Sequence, residues 1–453
     1  MENYLVIGSG ISGINSVKLL EHMNEKVTLY DGNEAIKSEE MRAKLPENSK
    51  AACIVGKLPG EVLESAQNVV LSPGVPVDLP LVQELKAHGA KIMGEIELGY
   101  RAEKGRVAAI TGTNGKTTTT TLVGEIMKAW LGEKKVFVVG NIGNAYTSEC
   151  LKTNADTVTV GEISSFQLET ICDFHPAVSA ILNITPDHLN RHHTMENYVA
   201  VKERIAAKQT KDEVCVLNYE DDYTRDFGSR CPARVVFFSS KRKLEEGLYL
   251  EGEDIWRSLE GKRERLMNIH EMNLVGMCNV ENVMAAIAIS MCMQAPMEHI
   301  LDTVKRFKAV EHRIEFVASK GGVDYYNDSK ATNPDAAIQG IRAMSKPTVL
   351  IGGGYDKGSV YDEWIEAFDG KVKYLVLIGQ TADLIETCAK AHGIKAEKIL
   401  RAESFEEALK TCTERAEAGD AVLLSPACAS WGMFANYEVR GNVFKDYVNG
   451  LAD

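Results

Sequence analysis

The chain has 453 residues, enough for two to four domains. Apolar residues make up 45% and charged residues 25%, which suits ordinary globular cores and excludes a globally disordered chain. A formal net charge of −13 argues against generic nucleic-acid binding, yet leaves room for a local basic cluster around a small anion.

YLVIG opens the chain as a strand, Ser12 to Met23 follows as a helix, and KVTLYD (26–31) is the next strand. NVVLSPG (68–74) and KIMGEIEL (91–98) read as further strands around a helix near 80–89. This alternation over 1–97 predicts a parallel sheet with helices between its strands. A second segment, 98–309, opens at RVAAITGTNGK and continues through VFVVGNIG, TVTVGEISSFQLE, VSAILNITPDH and EVCVLNYEDD. Its NVENVMAAIAISMCM (279–293) predicts a helix with a broad apolar face. A third segment, 310–453, starts near EHRIEFV and carries VDYYNDS, TVLIGGG, KYLVLIGQ and DAVLLSPA. These strands end in small or polar residues, where open α/β sheets place ligands. The expected fold is α/β with three domains: Rossmann-like at the N-terminus, P-loop-type and ATP-binding in the centre, Rossmann-like at the C-terminus.

Ten cysteines lie singly with no C-x-x-C pair, which excludes zinc ribbons and thioredoxin-like motifs and suits a reducing compartment. MENYLVIG enters a strand without a basic leader, and no stretch approaches the ~18 continuous apolar residues of a membrane span. A cytoplasmic protein with no membrane insertion is expected.

Two glycine motifs carry the chemistry. GSGISG follows a strand and precedes a helix, so its backbone N–H groups can approach a phosphate; Asp31 ends the next strand, where an NAD enzyme places its ribose-binding acid. TGTNGKTTTT is more specific. Gly112 and Gly115 let the backbone, with Thr113 and Asn114, wrap phosphate oxygens. Lys116 reaches the β and γ phosphates, the Thr117 hydroxyl suits Mg2+, and Thr118 continues the motif. One departure is Ile110, where the strict motif has glycine.

GTNGKTTTT, EISSFQLE, NITPDHLNRH and HRIE…NDSKATN, in this order, resemble the ATP-dependent Mur ligases. NDSKATNP and LLSPACASWGMF look like the branch that adds D-glutamate. The resemblance implies a monomer that joins UDP-N-acetylmuramoyl-L-alanine to D-glutamate with ATP and two Mg2+ ions, in peptidoglycan precursor synthesis. It makes Lys116, Glu162, His188 and Lys202 catalytic, with Thr117, Glu162, His188 and a carbamylated Lys202 at the metals. By residue type alone, Glu162 could equally be a helix-capping acid, His188 a loop histidine and Lys202 a solvated helix lysine. The resemblance gives ATP to the 112–118 loop, to Asn279 and Asn282, and to Arg313 and Asp328, which would act across a domain cleft. Cys278 stands where the family commonly has His. Ile11, Ser12, Asp31, Ser72 and Gly74 would hold the UDP-sugar. Asn141, Arg191 and Lys330 would meet substrate charge, and Thr332, Lys357, Ser430 and Tyr437 would hold D-glutamate. Asp328 reads otherwise as a turn residue, and Lys357 as a surface lysine in a glycine-rich loop.

Three rivals remain at this level. A sister amide ligase would differ in the acceptor amino acid. An NAD-dependent protein would use GSGISG and leave the Lys116 motif unexplained. A P-loop switch would turn over ATP with neither substrate.

Overall fold

The computed structural model describes residues 2–259 and 261–452. It contains three sheets and divides into two compact units. One comprises Met1–Met267 and Asn282–Val304, the other Asn268–Glu281 and Lys305–Asp453.

The first sheet is all parallel, in the order Ala52–Val55, Lys26–Asp31, Asn3–Ile7, Asn68–Leu71, Lys91–Gly94. Leu5, Val6 and Ile7 are all buried, as expected of a central strand covered on both faces. The chain order reverses between Asn3–Ile7 and Asn68–Leu71, so Gly8 and Ser72 flank a topological switch point. KIMGEIEL is not one strand. It ends at Gly94, and Glu95–Ala102 is a helix. The alternating pattern misleads because two acids point inward. Glu95 accepts hydrogen bonds from the Thr147 backbone N–H and hydroxyl at 2.7 and 2.8 Å, and Glu97 accepts from the N–H groups of Cys172, Asp173 and Phe174.

The second sheet has nine strands. From one edge they run Val136–Gly140, Val158–Glu162, Arg106–Thr111, Val178–Ile181, Val214–Asn218, Arg234–Ser239, Gly247–Glu251, Asp254–Leu259 and Lys262–Asn268. Pairing is parallel as far as Gly247–Glu251, which is antiparallel to Asp254–Leu259. The first two sheets share one apolar core, in which Val6, Ile14 and Leu98 belong to the same cluster as Tyr146, Leu168 and Ile181. A Cβ on Gly99 would stand 2.8 Å from the Tyr146 ring, so the absence of a side chain there permits the close approach. The predicted apolar helix is observed as Met277–Cys292, with Val283 to Ile289 fully buried.

The third sheet has six strands in the order Glu315–Lys320, Val323–Asn327, Ala421–Leu424, Thr348–Gly353, Val372–Ile378, Ile399–Arg401. Only Glu315–Lys320 runs antiparallel to its neighbour. Two apolar clusters belong to this sheet, one containing Trp364 and Ile341, the other Phe405 and Phe444. Among the described residues no helix is long and apolar enough to cross a membrane.

Candidate active site

At the first switch point Gly8 has φ +102°, and a Cβ there would lie 2.6 Å from Ser72 Oγ. Gly13 is tighter still, its Cβ position being 1.9 Å from the Gly8 carbonyl oxygen. A Cβ at Gly10 or Gly74 would meet nothing within 4 Å, so these two leave open space. Gly10 caps the helix Ile11–His22 without a side-chain hydrogen bond, and Ile11 is 78% exposed. One cavity of about 530 Å3 is lined by Gly8, Asp31, Asn33, Gly74, Val75 and Leu79. Another, of about 380 Å3, is lined by Ser9, Gly10, Ile11 and Lys44. Asp31 serves the turn itself, because its Oδ2 accepts from the Ser9 N–H at 2.9 Å and the Ser9 hydroxyl at 2.6 Å. Burial works against its charge, but these bonds, one from the Asn33 N–H and the nearby Lys44 hold its carboxyl below the usual range. Gly13→Ala is expected to destabilise the protein by about 3 kcal/mol, the upper range for forced overpacking, because backbone rather than a flexible side chain meets the new methyl. Chemical denaturation of the two proteins side by side measures it.

In the second sheet, Gly112 and Gly115 have φ +152° and +83°, and the helix Lys116–Leu131 starts on Gly115. Ile110 is no defect in the motif. It is still strand, fully buried, and its carbonyl accepts from the Ile163 N–H at 2.8 Å. A Cβ on Gly115 would stand 2.1 Å from Asn282 Oδ1, which puts Asn282 against the loop. Two residues not singled out in the sequence clamp the loop from the neighbouring strand end. Asn183 accepts from the Asn114 N–H at 2.8 Å and donates to the Asn114 carbonyl at 3.1 Å. Thr113 Oγ1 donates to the Thr185 carbonyl and accepts from its N–H. Thr117 and Thr118 are buried in the first turn of the helix.

Lys116 folds back over its own loop, with Nζ donating to the carbonyls of Gly112 and Thr113 at 2.8 Å each. Lys202 Nζ reaches the same Gly112 carbonyl at 2.8 Å and lies 4.6 Å from the Tyr198 ring centroid. It is 1% exposed, so it is no solvated helix lysine, whereas Lys208 is exposed. Burial first, then the charge of Lys116, pushes its pKa well below the usual lysine value, against a smaller pull from Asp187. Both effects weigh against the charged form of the amine.

Glu162 is 1% exposed at a strand end. Its Oε1 accepts from Asn141 Nδ2 at 2.7 Å, and its Oε2 is buried with no hydrogen-bond partner. It caps nothing, since the next helix, Ser165–Leu168, has Ser164 and Gln167 as a reciprocal capping box. His188 has φ 54° and starts the short helix Leu189–His192. Its Nε2 is 3.5 Å from Asp187 and its ring packs on Phe166. Arg191 is committed to protein partners: it pairs with Glu169 at 2.6 Å and donates to the Val75 carbonyl at 3.0 Å.

In the other unit Asp328 is buried, accepting from the Ser425 hydroxyl at 2.7 Å and the Ile314 N–H at 3.2 Å. Burial pushes its carboxyl up to about 7 despite these bonds and the nearby charges of Arg313 and Arg440. It is no helix cap either, that role falling to Asn333. Arg313 Nε is buried without a hydrogen-bond partner. Asn279 donates to the Val275 carbonyl, and burial, with a smaller push from Asp328, raises the Cys278 thiol to about 12. Sequence reasoning missed Arg440, which is fully buried. Its guanidinium donates to Ser329 Oγ, the Ser329 carbonyl and the Cys428 carbonyl, so it fixes two loops at once. Ser329 Oγ donates to the Tyr437 carbonyl, and Lys330 Nζ stands 5.6 Å from the Tyr437 ring centroid. The Thr332 N–H donates to the Lys330 carbonyl, closing that turn. Lys357 is exposed and lies 5.0 Å from the Trp431 ring centroid, next to buried Ser430.

Glycine turns that open helices at the C-terminal ends of the first two sheets define an α/β protein built to take phosphate-bearing ligands. Family models agree along the chain: Mur ligase MurD-like, N-terminal domain over 2–94, Mur ligase middle domain over 110–290, and Mur ligase, glutamate ligase domain over 312–428. The chain belongs to the Mur ligase family. The UDP-N-acetylmuramoylalanine–D-glutamate ligase of Lachnospira eligens is 56% identical over 448 residues, covering 99% of this chain and 98% of that protein. The enzyme of the same name from Clostridioides difficile is 45% identical over 448 residues, with the same coverage. Among solved structures, the UDP-N-acetylmuramate-alanine ligase MurC of Thermotoga maritima matches with a TM-score of 0.60 at 17% identity, covering 99% of each chain. The MurF ligase of the same organism, solved with ADP, matches at 0.56 and 18%, covering 85% of this chain and 96% of that one. The structural matches carry the fold, and the sequence relatives carry the branch.

Proposed function

We propose that the chain is an ATP-dependent ligase that adds D-glutamate to UDP-N-acetylmuramoyl-L-alanine through an acyl phosphate, as a cytoplasmic monomer in peptidoglycan precursor synthesis. The observation that carries the mechanism is the meeting of Lys116 and Lys202 on the Gly112 carbonyl within a glycine loop. A carboxylate cannot acylate an amine at neutral pH, because oxide is not a leaving group. Transfer of the γ-phosphoryl group of ATP to the carboxylate of the L-alanyl residue makes phosphate the leaving group. The amine of D-glutamate then attacks the carbonyl carbon, the amide C–N bond forms, and the C–O bond to phosphate breaks. Phosphoryl transfer of this kind is mostly positioning and charge stabilisation.

In this reading the 112–118 loop, Asn279 and Asn282 hold ATP, and Arg313 and Asp328 are assigned to it. The turn from Ile11 and Ser12, with Asp31, Ser72 and Gly74, takes the UDP group, the turn supplying helix N-terminal N–H groups. Asn141, Arg191 and Lys330 meet substrate charge, and Thr332, Lys357, Ser430 and Tyr437 take D-glutamate. Arg191 would act from its pairing with Glu169 rather than as a free cation.

Mg2+ suits part of this set. The unpartnered Oε2 of Glu162 is a hard oxygen donor, and Thr117 supplies a hydroxyl. Lys202 fits only as a carbamate, whose oxygens are hard donors, since an ammonium there would repel the cation and a neutral amine is a poor donor for Mg2+. His188 is the weakest donor for so hard an ion. When bound, the metal would neutralise charge on the phosphates. The 1–97, 98–309 and 310–453 division assigns these tasks to UDP-sugar, ATP and amino acid in turn.

A phosphate-release assay with UDP-N-acetylmuramoyl-L-alanine and ATP tests the assignment. Turnover is expected with D-glutamate and not with L-glutamate, L-alanine or L-lysine. Turnover with one of those instead would move the chain to a sister ligase, and turnover with no acceptor would make it a switch ATPase.

A further inference from the structure

The third sheet carries a cluster that the ligase reaction does not use. Cys388 lies in the helix Ala382–Ala391, and His392 caps its C-terminal end. They are four residues apart and so share one helix face. Asp362 starts the helix Asp362–Glu366 beside them. One ligand atom from each of Asp362, Cys388 and His392 lies within 4.8 Å of the others. His392 Nε2 is 2.9 Å from Asp362 Oδ1, and the Cys388 sulfur lies within 4.8 Å of the same carboxylate.

We propose that Asp362, Cys388 and His392 form a binding site for a divalent cation of the zinc type, separate from the ligase centre. The donor set is one sulfur, one imidazole nitrogen and one carboxylate oxygen, which suits a borderline ion and not Mg2+. Zinc bonds of about 2.0 to 2.3 Å in a tetrahedron give donor separations of roughly 3.3 to 3.7 Å, and the three donor atoms here lie within 4.8 Å of one another. A second feature points the same way. With Nε2 turned to the metal, the other ring nitrogen of His392 faces Glu366 Oε1 at 3.8 Å. A carboxylate behind a ligating histidine is the usual outer support of such sites, fixing the ring and raising its basicity. Three protein donors leave the fourth position to water. Without metal, burial and then Asp362 and Glu366 keep the thiol protonated, so binding forms the metal–sulfur bond and releases the thiol proton to solvent.

Cobalt(II) is the probe, titrated into the full chain under reducing conditions in the presence of Mg2+. One equivalent is expected to bind with a thiolate-to-cobalt charge-transfer band, and zinc should displace it. Cys388→Ser should abolish the band, whereas Cys172→Ser, at an exposed cysteine elsewhere, should leave it intact. Glu366→Gln, at a largely exposed side chain, should keep the fold and weaken cobalt binding by about 10- to 100-fold. D-glutamate-dependent turnover of Cys388→Ser should match the parent, which separates this site from the ligase assignment. No band at stoichiometric cobalt, a band surviving Cys388→Ser, or unchanged affinity in Glu366→Gln would overturn the proposal.

Discussion

Lys202→Ala is expected to lower turnover by at least about a hundredfold, the scale of losing a group that supports a metal site. The expectation rests on position. Lys202 is the largest charged side chain at the loop that is closed to water, and its amine shares the Gly112 carbonyl with Lys116. Two cations there would repel each other and the metal. A neutral amine would instead attack the carbon of CO2, form an N–C bond and lose one proton, turning the position into an anion. Short carboxylates such as acetate or formate should therefore restore part of the activity of Lys202→Ala, entering the space that the side chain vacates. Labelled CO2 should give a carbamate signal in the parent protein and none in the variant. Full activity in Lys202→Ala would remove the residue from the metal set.

Asp328→Asn is expected to stabilise the protein at pH 8 while depressing turnover. The Asp328 carboxyl is raised from 3.8 to about 7 by burial. Between those values the folded chain holds a proton that the unfolded chain has lost. Stability therefore falls as pH rises through this window, and levels off above it. Asparagine has no charge to bury, and its side-chain oxygen can still accept from the Ile314 N–H. The gain at pH 8 is on the order of 4 kcal/mol and should largely vanish near pH 4. Thermal unfolding at the two pH values checks both limbs. A loss of stability at pH 8 would mean that Arg313 and Arg440 need the charge more than burial opposes it.

Much of this arrangement was legible in the chain. The strand–turn–helix order located all three sheets, because parallel strands buried on both faces are near-continuous apolar runs. The glycine loop at 112–115 was readable because only glycine adopts its backbone angles without strain. Three things were hidden. The strands from Arg234 to Asn268 carry no motif, and KRERLMN opens on four consecutive charges, so their extension of the second sheet is not legible in the chain. Arg440 lies in an ordinary amphipathic pattern, and nothing local says that its guanidinium is buried between two loops. Lys202 shows the limit most clearly. Its place in a helix predicts solvent, whereas in the fold it is buried with its amine on the Gly112 carbonyl and beside the Tyr198 ring. The apolar core shared by the first two sheets is likewise a product of packing and carries no local signal in the chain.

The order of strands in the third sheet sets a timetable for synthesis. Ala421–Leu424 is the last strand in the chain, yet it lies between Val323–Asn327 and Thr348–Gly353 and pairs with both. A ribosome releases those two strands long before the one that joins them. Until then each presents an open edge that another chain could occupy. The unit that holds the glycine loop is mostly complete by residue 304, so it can fold while its partner waits. Nascent chains stalled in that interval would be the ones most in need of a chaperone.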